Sequence, residues 1–207
     1  VTIRNNLEHD IATTNAAGNA HGIAIYADAV APCTALVVAG NEIRNCKLGS
    51  SEALAVNGNV DGFLVQDNHV HDCDNIGIVM IGGEGTGPTP ALDVARNGIA
   101  RRNLVHHIDS LNNPAYNGER SADGIYVDGG CCITIDRNTV HHANLGIELA
   151  SEHAGCNTLS VTATNNVVFD CHVCGISLGG YDTTVGGTKL CTVVNNTCFR
   201  NDTDATG

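Results

Sequence analysis

The chain has 207 residues, with 10 Lys and Arg against 22 Asp and Glu and a formal net charge of −12. That balance argues against a nucleic-acid backbone as partner, because phosphate binding relies on clustered cations, and no uninterrupted apolar run approaches the roughly 18 residues of a membrane-spanning helix. With 24 glycines, 15% charged and 3% aromatic residues, the composition is that of a turn-rich β protein, since a helical one would carry a surface rich in Glu, Lys and Arg.

The chain opens at Val1 inside a strand-like stretch, VTIRN, with no Met, basic n-region or apolar h-region. Residues 1–207 are therefore expected to form one domain that is a processed or excised segment of a longer protein, with its end caps missing.

In chain order, one motif recurs seven times: TIRNNLEHDI, VVAGNEIRNC, LVQDNHVHDC, IARRNLVHHI, ITIDRNTVHHA, VTATNNVVFDC and TVVNNTCFRN. Its Asn falls at Asn6, Asn41, Asn68, Asn103, Asn138, Asn166 and Asn196, at intervals of 35, 27, 35, 35, 28 and 30 residues. A second motif follows each of the first six: HGIAIY, EALAVN, IGIVMI, DGIYVD, LGIELA and CGISLG. Within it the faces alternate, so Ile125, Val127, Ile147 and Leu149 are expected inside and Tyr126, Asp128 and Glu148 outside. The Asn is expected at a tight bend, in the left-handed backbone region that Asn and Gly enter cheaply.

Three short strands per repeat, with unequal loops on a constant frame, predict an all-β solenoid: a parallel β-helix of about seven coils with a continuous aliphatic interior. The first coil departs from the pattern, because Glu8 stands where later coils have Ile43, Val70, Val105, Val140, Val168 or Cys198. Either Leu7 slips inward there or that coil is irregular. The repeats resemble those of the right-handed parallel β-helix proteins of the pectate-lyase-like superfamily, and the likeness covers nearly all of residues 1–207.

Loop length locates the expected site. The longest excursion between Asn and the Gly-Ile start is 21 residues, in the fourth coil, and the longest return is 26 residues, in the third. The loops 106–123 and 82–93 should therefore wall a groove on the outer face of the Gly-Ile strands. Its floor would carry Tyr126, Asp128 and Glu148; its walls would carry Asp109, Glu119, Arg120, Asp123, Glu152 and His153. Asp128 and Glu148 sit on adjacent coils, offset by two positions, roughly 8 Å apart. That spacing suits the acid and base of an inverting glycosidase. Asp123, Arg120, Tyr126, Glu152, His153 and Tyr116 are the expected substrate-binding groups.

In polysaccharide-acting members of the superfamily this face holds the substrate, so the resemblance implies a secreted or periplasmic carbohydrate-active enzyme with a polysaccharide or oligosaccharide partner. The acidic pairs and Gly-His-Gly of polygalacturonases are missing. A lyase would use the same residues with a Ca²⁺ ion on Asp123, Asp128 and Glu148 and a basic group to take the α-proton. Lys47 and Lys189, the only lysines, fall outside the groove, which leaves Arg120, Arg137 or a His as base. No cofactor is required by the hydrolytic reading.

The alternative is a non-catalytic surface or binding module, or a metal-binding periplasmic solenoid. Three residues after each Asn stand His9, Arg44, His71, His106, His141, Phe169 and Phe199, with His107 and His142 beside them. Such a column is a side-chain ladder or a set of imidazole ligands. Cys46, Cys73 and Cys171 share the next inward position as small apolar fillers, and Cys46 above Cys73 could pair as a disulfide.

Overall fold

Each repeat folds as one coil of three short strands. The computed structural model describes residues 1–15 and 17–205. The first strands, Thr2–Arg4, Cys33–Ala39, Val60–Gln66, Arg96–Arg101, Thr134–Asp136, Thr162–Thr164 and Thr192–Val194, stack into a seven-stranded sheet. The second strands, Leu7–His9, Glu42–Cys46, His69–Cys73, Leu104–Ile108, Thr139–Ala143, Val167–Phe169 and Thr197–Phe199, form another of seven. The third strands, Ile23–Ala27, Leu54–Gly58, Ile78–Ile81, Asp123–Asp128, Leu145–Ala150 and Cys174–Leu178, form a sheet of six. Every strand pairs in parallel with its counterpart one coil on, and the result is a right-handed parallel β-helix of about seven coils. Among the described residues no helix is long and apolar enough to cross a membrane.

The repeated asparagine works differently from expectation. The left-handed residue at the first corner is the one before it: Asn5, Gly40, Asp67, Arg102, Arg137, Asn165 and Asn195 all have φ between 52 and 64°. Turning the chain there frees the next residue, the motif Asn, to point into the rod. Asn103 then donates from Nδ2 to Asn138 Oδ1 and to the Val65 carbonyl, at 2.9 and 3.1 Å. Its Oδ1 accepts from both the backbone N–H and Nδ2 of Asn68 at 3.0 Å. The same bonds link Asn6 to Asn41, Asn41 to Asn68, Asn138 to Asn166 and Asn166 to Asn196. A carboxamide is the one short side chain with both a double donor and an acceptor, so each Asn satisfies corner backbone groups that water cannot reach.

The motif glycine is set by close approach. A Cβ on Gly124 would meet Val140 Cγ1 at 2.4 Å, and one on Gly146 would meet Val168 Cγ1 at 2.3 Å. The corner entering the third sheet therefore presses on the inward aliphatic residue of the second. That residue, Ile43, Val70, Val105, Val140 or Val168, is buried in a core shared with Val38, Val65, Ile135, Val127 and Leu149. In the first coil Glu8 keeps the register opposite Ile43, and Leu7 does not slip inward: it is 50% exposed.

Cys46, Cys73 and Cys171 are buried as expected, and Cys46 and Cys73 are register partners. They are stacked thiols rather than a disulfide, and all ten cysteines are free. Outside the second sheet the rings of His71, His106, His141, Phe169 and Phe199 stack at centroid spacings of 4.7–4.9 Å. His107 and His142 stack beside them at 4.9 Å.

Replacing Asn103 with Ala leaves the Asn68 donors and the Val65 carbonyl short of partners in the interior, so it should cost roughly 2–4 kcal/mol in denaturant unfolding. Asn6→Ala, at the exposed end of the ladder, should cost less than about 1 kcal/mol. Equal costs at both sites would refute the ladder as the source of corner stability.

Candidate active site

Three columns of side chains leave the outer face of the third sheet. The position before the motif glycine stacks His21, Glu52, Ile76, Asp123, Leu145 and Cys174. The next column, by register, is Ala24, Ala55, Val79, Tyr126, Glu148 and Ser177, and the last is Tyr26, Asn57, Ile81, Asp128 and Ala150. The third coil therefore contributes an apolar floor, Ile76, Val79 and Ile81, which packs with Ala55, Tyr126 and Ala150. Polar groups flank it on the coils to either side.

The two long loops meet over this floor. Glu84, from the 82–93 loop, and Tyr116, from the 109–123 loop, line one cavity of about 130 Å³ together with Glu52, Asp128, Glu152 and His153. In the second loop the 3₁₀ turns Ser110–Asn112 and Pro114–Tyr116, capped by Asp109 and Asn113, aim Tyr116 inward. Its hydroxyl donates to Asn75 Oδ1 at 2.7 Å. A larger cleft of about 830 Å³ borders the 82–93 loop and is lined by Pro88, Cys131, Cys156, Leu159 and Lys189. Its one carboxylate, Asp93, is occupied by the Gly85 and Gly87 N–H groups, so chemistry concentrates in the smaller cavity.

Crowding of carboxyl groups governs the electrostatics. Burial, reinforced by the charges of Glu84, Asp128 and Glu152, raises Glu52 to about 7. Burial likewise raises Glu148 and Glu152, with the Asp128 charge adding to both. Asp128 is the exception in its partners: its Oδ1 accepts the Glu152 N–H at 2.9 Å, and its Oδ2 pairs with His153 Nε2 at 2.9 Å. The pairing raises His153 against the pull of burial. On the far side His21 Nδ1 lies 3.6 Å from Glu52, and its Nε2 meets the Tyr26 hydroxyl at 3.0 Å.

The expected residues divide into three groups. Asp128, Glu152, His153, Tyr116 and Tyr126 come together in the cavity. Glu148 stands beside it, its Oε1 accepting from Ser177 Oγ at 2.5 Å. Asp123 is buried beneath the loops rather than on a wall; desolvation and the Glu148 charge hold it well above the usual carboxylate range. Arg120 is engaged elsewhere, on Asp109 at 3.2 Å and Asp204 at 2.5 Å, where it ties the loop to the last described coil. Tyr126 lines the cavity but is only 2% exposed, so its ring offers no open platform for sugar stacking.

Glu52, Glu84 and His21 were missed. Glu52 carried a signal: it occupies the same motif position as Asp123, the residue before the glycine or its alanine equivalent. Glu84 carried none, because only the loop's path brings it to Asn57 Nδ2.

Asp123, Asp128 and Glu148 do not converge as the Ca²⁺-dependent reading requires. Among the described residues, the groups of three metal-binding side chains with donor atoms within 4.8 Å of one another are all-histidine.

With this fold and site in view, the chain is 43% identical over 203 residues to the uncharacterized protein YwoF of Bacillus subtilis (strain 168). The match takes in 98% of this chain and 42% of that protein, so the chain spans about two fifths of the relative's length. No protein-family model matches the chain, and no solved structure matches it.

Because Glu52 titrates near 7 when folded and near 4.5 when free, the folded state is favoured at low pH and loses that advantage as pH rises through about 7. Glu52→Gln removes the penalty: it should raise stability by up to about 3 kcal/mol at pH 8 and make little difference at pH 4. Thermal melts at the two pH values check this; an effect independent of pH would contradict it.

Proposed function

We propose that the chain is the β-helix of a secreted or periplasmic glycoside hydrolase of the pectate-lyase-like superfamily, cleaving a neutral polysaccharide or oligosaccharide on the outer face of the third sheet. The observation that carries this reading is the pair Glu52 and Asp128 across one apolar-floored cavity. One carboxyl keeps its proton to about pH 7, and the other is held by the His153 imidazole and a backbone N–H. Carboxyl groups whose environments push their roles apart are the usual sign of acid–base work.

In the proposed reaction Glu52 donates its proton to the glycosidic oxygen as the bond to the anomeric carbon breaks. Asp128 takes a proton from the water that attacks that carbon from the opposite side. A cavity of about 130 Å³ has room for water at about 30 Å³ per molecule, as an inverting mechanism requires between its acid and base. Glu152 and His153 hold Asp128 in place, and Glu148 with Asp123 forms the polar flank. Tyr26, half exposed at the edge of the face, supplies a ring for a neighbouring sugar.

Hydrolysis is favoured over elimination because, among the described residues, no Lys or Arg lines the cavity, Arg120 is bound in ion pairs, and His153, the histidine that lines it, is paired with Asp128. Elimination needs a base that takes an α-proton and charges that neutralise a uronate, whereas this acidic pocket repels anionic sugars.

The full chain, incubated with neutral and uronate polysaccharides with and without Ca²⁺, should release reducing ends from a neutral substrate without unsaturated products. Glu52→Gln and Asp128→Asn should each lower the rate by at least about 10²-fold, and activity should fall above about pH 7 as Glu52 loses its proton. Unsaturated products would replace this reading with a lyase. Silence on every substrate would replace it with a binding module.

A further inference from the structure

A second constellation lies outside the second sheet, away from the carboxylate cavity. His69 and His71 come from the strand His69–Cys73 of the third coil, and His106 from Leu104–Ile108 of the fourth. His71 and His106 are register partners in the ring ladder. His69 is not: it stands opposite Leu104, two positions earlier, yet its ring turns onto the ladder and stacks on His71 at 4.1 Å. That turn brings its Nε2 to 2.8 Å from His106 Nε2. The ligand atoms of His69, His71 and His106 all lie within 4.8 Å of one another.

Hydrogen bonding leaves this group incomplete. His71 Nδ1 is held by Asp72 Oδ2 at 2.6 Å, which places its proton there and its lone pair on Nε2. That Nε2 is buried and has no hydrogen-bond partner. His106 Nδ1 meets His107 Nδ1 at 2.7 Å, so its remaining nitrogen is the one facing His69. One hydrogen bond between His69 and His106 can form, and His71 Nε2 is left over. A buried unpaired acceptor asks for an explanation, and a cation shared by the three nitrogens supplies one. The Asp72–His71 contact is the carboxylate–histidine pairing that orients metal-bound imidazoles. Glu42 Oε1, one coil earlier and 3.5 Å from His71 Nε2, is within reach as a fourth donor.

We propose that His69, His71 and His106 form a binding site for one divalent late transition-metal ion of the zinc class, which staples the third coil to the fourth. Imidazole donors select such ions over Ca²⁺ or Mg²⁺, which take oxygen ligands. Stacking alone does not account for the arrangement, because Phe169 and Phe199 continue the ladder without any nitrogen, while His69 departs from its column to join the group. The site is independent of the hydrolase reading.

The test titrates the untagged full chain with Zn²⁺ by calorimetry and with Co²⁺ by visible absorption. One equivalent should bind, with the intense bands of four-coordinate Co²⁺, and Zn²⁺ should raise the melting temperature. His69→Gln, His71→Phe and His106→Phe should each weaken binding at least about tenfold; the phenyl rings preserve the stack, as Phe169 and Phe199 do, so the fold survives and circular dichroism should be unchanged. His9→Gln, on the first coil, should bind as the parent does. The proposal is overturned if folded trio variants bind Zn²⁺ normally. It is equally overturned if His107→Gln and His141→Gln abolish binding while His69→Gln and His71→Phe do not, which would assign the ion to the neighbouring trio His106, His107 and His141.

Discussion

A coil that stacks on copies of itself must satisfy its corner backbone groups inside the rod, and the asparagine ladder does this at every level. Each interior Asn, from Asn41 to Asn166, bonds the next one along the axis and a main-chain carbonyl of the preceding coil, so the corner has the same shape in these repeats whatever happens in the loops. The left-handed residue before it supplies the turn, and the Asn supplies the partners. From that fixed corner follow the register of three sheets, the inward set of aliphatic side chains, and the close contact that admits only glycine at Gly124 and Gly146.

A fixed frame makes columns, and columns make both constellations. On the third sheet, three outward columns cross an apolar third coil, so carboxyl groups from the second, fourth and fifth coils and from the 82–93 loop are left around an apolar floor. Desolvation then raises Glu52, Glu148, Glu152 and Asp123, while Asp128 pairs with His153. On the second sheet, the same stacking brings imidazoles within 5 Å of one another, close enough to share a ligand or to repel as cations. Burial and the neighbouring rings hold His106 down at about 4. One geometric repeat therefore produces a carboxyl-rich face and an imidazole-rich face.

The loops add what the frame lacks. The Asp109–Arg120–Asp204 ion pairs and the Asp109 and Asn113 caps hold the 109–123 excursion over the third sheet, and Asp93 organises the 82–93 excursion through the Gly85 and Gly87 amides. Tyr126, which alternation places on the outer face, is covered by them.

The sequence by itself determined the β-helix, the number of coils, the inward residues and the ring ladder, because each depends on a period that repeats in the chain. It also placed Asp128, Glu152, His153 and Tyr116 near one another, since loop length alone marks where excursions gather. Only the tertiary structure decided that Arg120 is spent on Asp204, 84 residues away, that Glu148 is turned to Ser177, and that Glu52 and Glu84 face Asp128. It also decided that His69, rather than His141, completes a trio with His71 and His106. These are contacts between side-chain ends on different coils or on aperiodic loops, and they depend on rotamers and loop paths that no repeat encodes.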